Sequence, residues 1–373
     1  MTTGNSTFTW AHALHLHSTL SPFASPVPST HPAFDRVQPV SWKRINVAGL
    51  LVTLYGLQEL PSDVREVACL WLLHGRGDTQ DSMAYTAAGL LETWWNTRKS
   101  GQKHLICVGI DQRNHGSRMV DNLANVSWKQ GNPTHAMDMF STYSGTASDV
   151  SHLLDHLPSY LPFAISDHYC GGVSLGGHAT WQILLSEPRI RAGMVVIGCP
   201  DYVRLMADRA IRSKLPSTLD SDPPGSNFLG SPDFPPALVS AVEANDPAGL
   251  LLSELDVATS NAHPHMPTES EQTRLREILF GRLADKKIVC LSGGKDRLVP
   301  YACGEPFLTW LKNAVDPKDG WANDLGIEVV DFVDPDARHE FTRPMRDVAE
   351  TWLCELLSGE KEHPAVKGRQ SKI

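Results

Sequence analysis

From about residue 45 onward, apolar residues gather in short unbroken runs, separated by stretches with helical spacing. "INVAGLLVTLYGL" (45–57) predicts one or two early strands. "REVACLWLLHGRGD" (65–78) predicts a buried strand followed by a glycine-rich turn, and "HLICVGIDQRNHG" (104–116) predicts a second unit of the same build. Between them, "DSMAYTAAGLLETWWNTR" (81–98) reads as a helix with Asp81 as its N-cap. "TASDVSHLLDHL" (146–157) carries Val150, Leu153, Leu154 and Leu157 at helical spacing and stops before Pro158. A strand over 165–171, a helix over 177–186 ended by Pro188, and a strand in "RAGMVVIGCP" (191–200) continue the alternation. Strands alternating with helices specify an α/β chain with a mainly parallel sheet covered by helices.

The rhythm then breaks. From Asp201 to about Lys286 no strand pattern is present, only helical pieces such as "PALVSAVEAND" and "ESEQTRLREILFGRLAD" joined by Pro/Gly-rich connections. Strand patterns resume at "KIVCLSGGKDRLVP" and "IEVVDFVDPDARHEF", and "PMRDVAETWLCELLSG" predicts a closing helix. The organisation expected is an N-terminal arm (1–36), a core made of 37–200 and 287–358, a helical insertion (201–286) and a polar tail (359–373).

Composition narrows the function. A net charge of -9 disfavours a nucleic-acid binder and a polybasic membrane attachment. No apolar run approaches the roughly 18 residues of a spanning helix. The seven cysteines (69, 107, 170, 199, 290, 303, 354) form no C-x-x-C pair, which suits reduced, buried thiols of an intracellular protein rather than a disulfide or zinc framework. His12, His15 and His17 lie in a Ser/Pro-rich arm that has neither a basic n-region nor an arginine-rich presequence, and that arm is read as uncommitted rather than metal-binding. No cofactor or metal is expected. The chain ends Ser371-Lys372-Ile373 after a basic stretch with Lys367 and Arg369. This is similar to the Ser-Lys-Leu address read by the peroxisomal import receptor, so a peroxisomal location is expected, and a cytoplasmic one otherwise.

The chemistry concentrates at "CGGVSLGG" (170–177). Gly172-Val-Ser174-Leu-Gly176 has the G-x-S-x-G form between a predicted strand and a predicted helix. A sharp turn there holds a serine above the sheet, and side chains two residues away on either side would collide, so glycine fits. The helix begins at the serine, which aims the Leu175 N–H at developing negative charge. A serine needs a base and a group to orient that base. Asp296, just past the strand in "LSGGKDRLVP", and His339, just past the strand in "DPDARHEFT", follow in the order Ser174, Asp296, His339. Asp201, after the preceding strand, is the rival acid. His74, His115 and His178 are competing histidines, but none follows the last strand. The "HGRG" turn offers a second oxyanion donor, the N–H of Arg76, with Gly77 as the fallback; the Arg76 side chain is expected to be solvated.

Together "HGRG", "DQRNHGSR", "GVSLGGHA", "SGGKDRLVP" and "DARHEF" resemble the α/β-hydrolase superfamily over roughly residues 47–357, with a fainter similarity to fungal-type hydrolases. Arg118 stands where the D-x-R-x-H-G-x-S turn of many members ends in serine, with Ser117 one place earlier. The resemblance implies an eight-stranded, mostly parallel sheet, a Ser-His-Asp triad and a helical lid between strands six and seven. Serine as nucleophile disfavours the epoxide hydrolases and dehalogenases of this fold, and the chain has no room for a peptidase propeller. The activity implied is hydrolysis of a small-molecule carboxylic ester or acyl thioester, with a peroxisomal fatty-acyl or specialised-metabolite substrate in view. An acyltransferase using the same triad and a non-catalytic binding protein of this fold are the alternatives.

Overall fold

In "EVACLWLL" (66–73) successive side chains serve two different cores: Val67, Cys69, Trp71 and Leu73 point into one, and Ala68, Leu70 and Leu72 into the other. Two-residue periodicity with both faces apolar is what a parallel strand buried between helix layers requires. The structure is a computed structural model, and it describes residues 38–219, 225–252 and 266–359. The arm with His12, His15 and His17 and the Ser371-Lys372-Ile373 ending lie outside the described residues.

In chain order the elements are β1 (Trp42–Val47), β2 (Leu50–Tyr55), β3 (Glu66–Leu73), α1 (Ala84–Thr97), β4 (His104–Ile110), α2 (His135–His156), β5 (Ala164–Val173), α3 (Leu175–Ser186), β6 (Ile190–Val196), α4 (Tyr202–Ser213), α5 (Pro216–Leu219), α6 (Pro236–Asn245), α7 (Pro247–Leu252), α8 (Glu269–Leu283), β7 (Lys287–Gly293), α9 (Tyr301–Ala314), β8 (Glu328–Asp334) and α10 (Arg343–Ser358). The eight strands form one sheet in the order β1-β2-β4-β3-β5-β6-β7-β8. β1 pairs antiparallel with β2, β2 pairs antiparallel with β4, and all later neighbours are parallel. α1 and α10 cover one face, where Leu90, Leu91, Trp94, Met345 and Leu353 pack. α2, α3, α8 and α9 cover the other, with Leu153, Trp181, Leu279 and Phe307 in its core.

Three local expectations need correction. Asp81 does not cap α1: its carboxylate pairs with Arg44 of β1, and a 3₁₀ turn over Gln80–Met83 precedes the helix. α2 begins at His135, eleven residues before the segment that predicted it, because buried Ala136, Met139, Phe140 and Tyr143 carry the apolar stripe back to the first turn, with small and polar Thr142 and Gly145 buried among them. A Cβ at Gly145 would lie 2.5 Å from the Arg113 side chain, so glycine lets the helix approach that loop. The segment between β6 and β7 is not all cover. α8 packs on α3 through buried Leu275, Leu279 and Leu283 and belongs to the helix layer.

Candidate active site

The strand-to-helix turn after β5 forces Ser174 to φ 56° and ψ −111°, a left-handed backbone that a non-glycine residue adopts at a cost of about 1–3 kcal/mol. The chain crosses itself around this residue. A Cβ on Gly172 would lie 2.2 Å from the Gly176 carbonyl oxygen, and one on Gly176 would lie 2.1 Å from that of Leu73. Both glycines are therefore set by backbone-to-backbone contact. The turn is pinned by the Ser174 N–H donating to Val196 (2.8 Å) and the Gly176 N–H donating to His74 (3.1 Å). Leu175 is the first residue of α3, so its N–H has no carbonyl within the helix to bond.

Ser174 Oγ lies 2.8 Å from His339 Nε2, and His339 Nδ1 lies 2.7 Å from Asp296 Oδ2. The other oxygen of Asp296 accepts the N–H groups of Leu298 (2.7 Å) and Val299 (3.0 Å), and its carboxylate is fully buried. Glycine again permits the approach. A Cβ on Gly293 would lie 2.5 Å from the Arg338 carbonyl oxygen, and one on Gly294 2.9 Å from Pro335 Cα. The loop after β8 thus closes on the loop after β7, joined by the Gly294 N–H to Asp334 and the Lys295 N–H to Ala337 (both 2.8 Å). The "SGG" before Asp296 carried this signal in the sequence.

The rival acid is engaged elsewhere. Asp201 caps α4 by accepting the Arg204 N–H (2.9 Å) and pairs with the Arg204 side chain (3.0 Å). Burial pushes its carboxyl up to about 6. The other histidines brace the site. His74 Nδ1 donates to the Gly75 carbonyl (2.7 Å) while Nε2 accepts the Gln112 N–H (3.0 Å), which fixes a neutral tautomer. Burial holds it near 4. His115 stacks edge-on against His74, and His178 is buried one turn along α3, with its Nδ1 accepting the Cys199 N–H (3.1 Å). In the "DQRNHGSR" turn, Asp111 accepts from the Gln80 and Ser117 backbones, while Arg118 reaches Asp149 of α2 (2.8 Å).

The HG turn abuts the serine: a Cβ on Gly75 would lie 3.8 Å from Ser174 Cβ. The Asp78 N–H closes this turn on the Gly75 carbonyl (3.2 Å), and Gly77 supplies its positive φ of 85°. This sets Arg76 beside the nucleophile. Its side chain is not solvated as expected. It turns inward, with Nη1 3.3 Å from His135 Nδ1. Sequence reasoning missed both His135, the first residue of α2, and Arg209 of α4, whose Nη1 lies 3.4 Å from His135 Nε2. Neither sits in a motif, and only the packing of α2 against α4 joins them.

Among the described residues no three His, Cys, Asp or Glu side chains are grouped to hold a metal ion, and no helix is long and apolar enough to cross a membrane. A hollow of about 320 Å³ lined by Leu57, Pro61, Val64 and Phe163 opens beside the N-terminal ends of β3 and β5, at the other end of these strands from Ser174.

The strand order, the turn after β5 and the loops after β7 and β8 make this the α/β-hydrolase fold. No family model and no curated protein matches the sequence. Among solved structures the chain is similar to an acylaminoacyl peptidase of Pyrococcus horikoshii (12% identity, TM-score 0.48, covering 90% of this chain and 44% of that one). It is also similar to the esterase Est1E of Butyrivibrio proteoclasticus (14%, TM-score 0.42, 85% and 98%) and an esterase of Pyrobaculum calidifontis (10%, TM-score 0.41, 87% and 86%). The chain spans less than half the length of the peptidase.

Proposed function

We propose that the protein is a serine hydrolase that cleaves a carboxylic ester or an acyl thioester. The observation that carries this reading is the continuous relay from Asp296 through His339 to Ser174, with contacts of 2.7 and 2.8 Å, on a strained turn. In the proposed reaction Ser174 Oγ attacks the acyl carbon as His339 Nε2 takes its proton. Asp296 holds the ring in the tautomer that can accept it and stabilises the imidazolium. The tetrahedral oxyanion lies against the N–H groups of Leu175 and Arg76. His339 then returns the proton to the departing alcohol or thiol. A water, deprotonated by the same histidine, releases the acid from the acyl-enzyme. The helices α4 to α7 between β6 and β7 would shape the acyl pocket as a lid.

The test is turnover of a panel of acyl esters and acyl thioesters, with products identified in the presence and absence of a primary alcohol. Release of free acid in both conditions supports a hydrolase. A new ester formed at the expense of acid would make the protein a transferase. No turnover of any member would contradict the reading. Delivery to the peroxisome through Ser371-Lys372-Ile373 is part of the proposal. It is tested by a reporter carrying this ending at its free C-terminus, and a cytosolic reporter would remove that part.

A further inference from the structure

Arg76 and Arg209 stand apart from the other arginines around the core. Arg113, Arg189 and Arg276 each reach a carboxylate. Neither Arg76 nor Arg209 has one within ion-pair distance among the described residues. Their shared neighbour is His135, which is buried, and its two ring nitrogens face one guanidinium each. Burial, then the charges of Arg76 and Arg209, hold that ring neutral, near 3. A neutral imidazole has one acceptor nitrogen, so it can satisfy one of the two N–H groups aimed at it. The other contacts of Arg209 are neutral as well: the Leu298 carbonyl (2.9 and 3.2 Å) and Met139 Sδ (3.1 Å). Burial and the nearby Arg76 push the Arg209 guanidinium down to about 10. Two partly buried positive charges with surplus donors and no counter-charge make an anion site.

Its position ties it to the reaction centre. Arg76 is next to Gly75, which lies against Ser174. Arg209 holds the carbonyl of Leu298, in the loop where the Leu298 N–H binds Asp296. Arg76 thus belongs to the oxyanion turn, and Arg209 braces the acid loop. Resting on the hydrolase reading above, we infer that Arg76 and Arg209 bind a carboxylate carried by the substrate, so that the preferred substrate is an anionic ester or thioester. A planar carboxylate suits guanidinium donors, which pair with it through two parallel hydrogen bonds.

The experiment compares esters matched in length and differing in charge. Mono-p-nitrophenyl adipate is set against p-nitrophenyl hexanoate for an acyl-side carboxylate, and 4-acetoxybenzoate against phenyl acetate for an alcohol-side one. The wild type is expected to favour the anionic member of one pair. Arg209→Gln is expected to lower that preference, the ratio of the two kcat/KM values, by about tenfold or more through KM, and Arg209→Lys to restore part of it. Equal kcat/KM within both pairs of the wild type, or a ratio unmoved in Arg209→Gln, would overturn the inference while leaving the hydrolase reading intact. A binding arm stands apart from turnover. Adipate should raise the thermal midpoint of the wild type and leave that of Arg209→Gln unmoved. If no ester is cleaved, the hydrolase reading fails, and the adipate shift alone decides the anion site: no shift in the wild type overturns it.

Discussion

At the residue scale, two aspartates near the base are separated by what they already hold. Asp296 gives one oxygen to two backbone N–H groups and the other to His339, so it is oriented and committed to the ring. Asp201 spends its oxygens on Arg204 and the first turn of α4. Asp296→Asn should therefore reduce kcat by about 10³-fold or more, because the amide favours the wrong tautomer of the histidine. Asp201→Ala should leave kcat nearly unchanged and lower stability by about 1 kcal/mol or more through the lost cap and pair. Kinetics and urea denaturation of both variants check this, and a larger kcat loss at Asp201 would reverse the assignment. Ser174 and Asp296 were legible in the sequence because each follows a buried apolar strand, and His339 because it follows the last strand, all of them local signals. Arg209 and His135 were not. One lies inside an amphipathic helix and the other at an unmarked helix start, and nothing local shows that their side chains meet.

At the scale of elements, glycine decides where strands, helices and loops can touch. The strands were legible because runs such as "EVACLWLL" have no polar position to spare. α2 was half legible: its buried stripe runs back from Val150 through Ala147, Tyr143, Phe140 and Met139, but small and polar Thr142, Gly145 and Thr146 are buried among them. The α1 start was misread because Asp81 finds Arg44 across the chain before it can serve its own helix. The glycines separate into two kinds. Gly176→Ala would drive a Cβ to 2.1 Å from the Leu73 carbonyl oxygen, so α3 or β3 must move, and a loss of ~3 kcal/mol or more is expected. Gly281 is exposed inside α8 with nothing within 4 Å of its would-be Cβ, so Gly281→Ala should gain about 0.5–1 kcal/mol. Chemical denaturation of the two variants gives opposite signs on this account, and equal effects would contradict it.

At the scale of the whole molecule, burial makes the fold sensitive to acid. His74 and His168 are held near 4, and His135 and His178 near 3, in each case chiefly by desolvation. A folded pKa below the unfolded value means that the unfolded chain takes up protons which the native state refuses, so stability falls as pH drops below about 6.5. Asp201, raised to about 6 by burial, and Asp246, also raised by burial, work in the opposite sense over the lower part of this window. His104 and His115 are lowered by burial too, and Asp78 and Glu350 raised by it; the depressed histidines outnumber the raised carboxyls, so the net effect toward acid is a loss of stability. The urea midpoint should therefore fall between about pH 7 and about pH 5, and a flat or rising midpoint would contradict the burial of these rings. The expectation of scattered buried thiols has its counterpart here: six of the seven cysteines are buried and unpaired, and Cys354 is partly buried.

The central claim is that Ser174 is an activated nucleophile, and a fluorophosphonate probe tests it most directly because it reacts only with such a serine. Purified protein should be labelled at Ser174, labelling should vanish in Ser174→Ala, and it should fall sharply in His339→Ala. Labelling that persists in Ser174→Ala would place the reactive group elsewhere, and a wild type that takes no label would contradict the account.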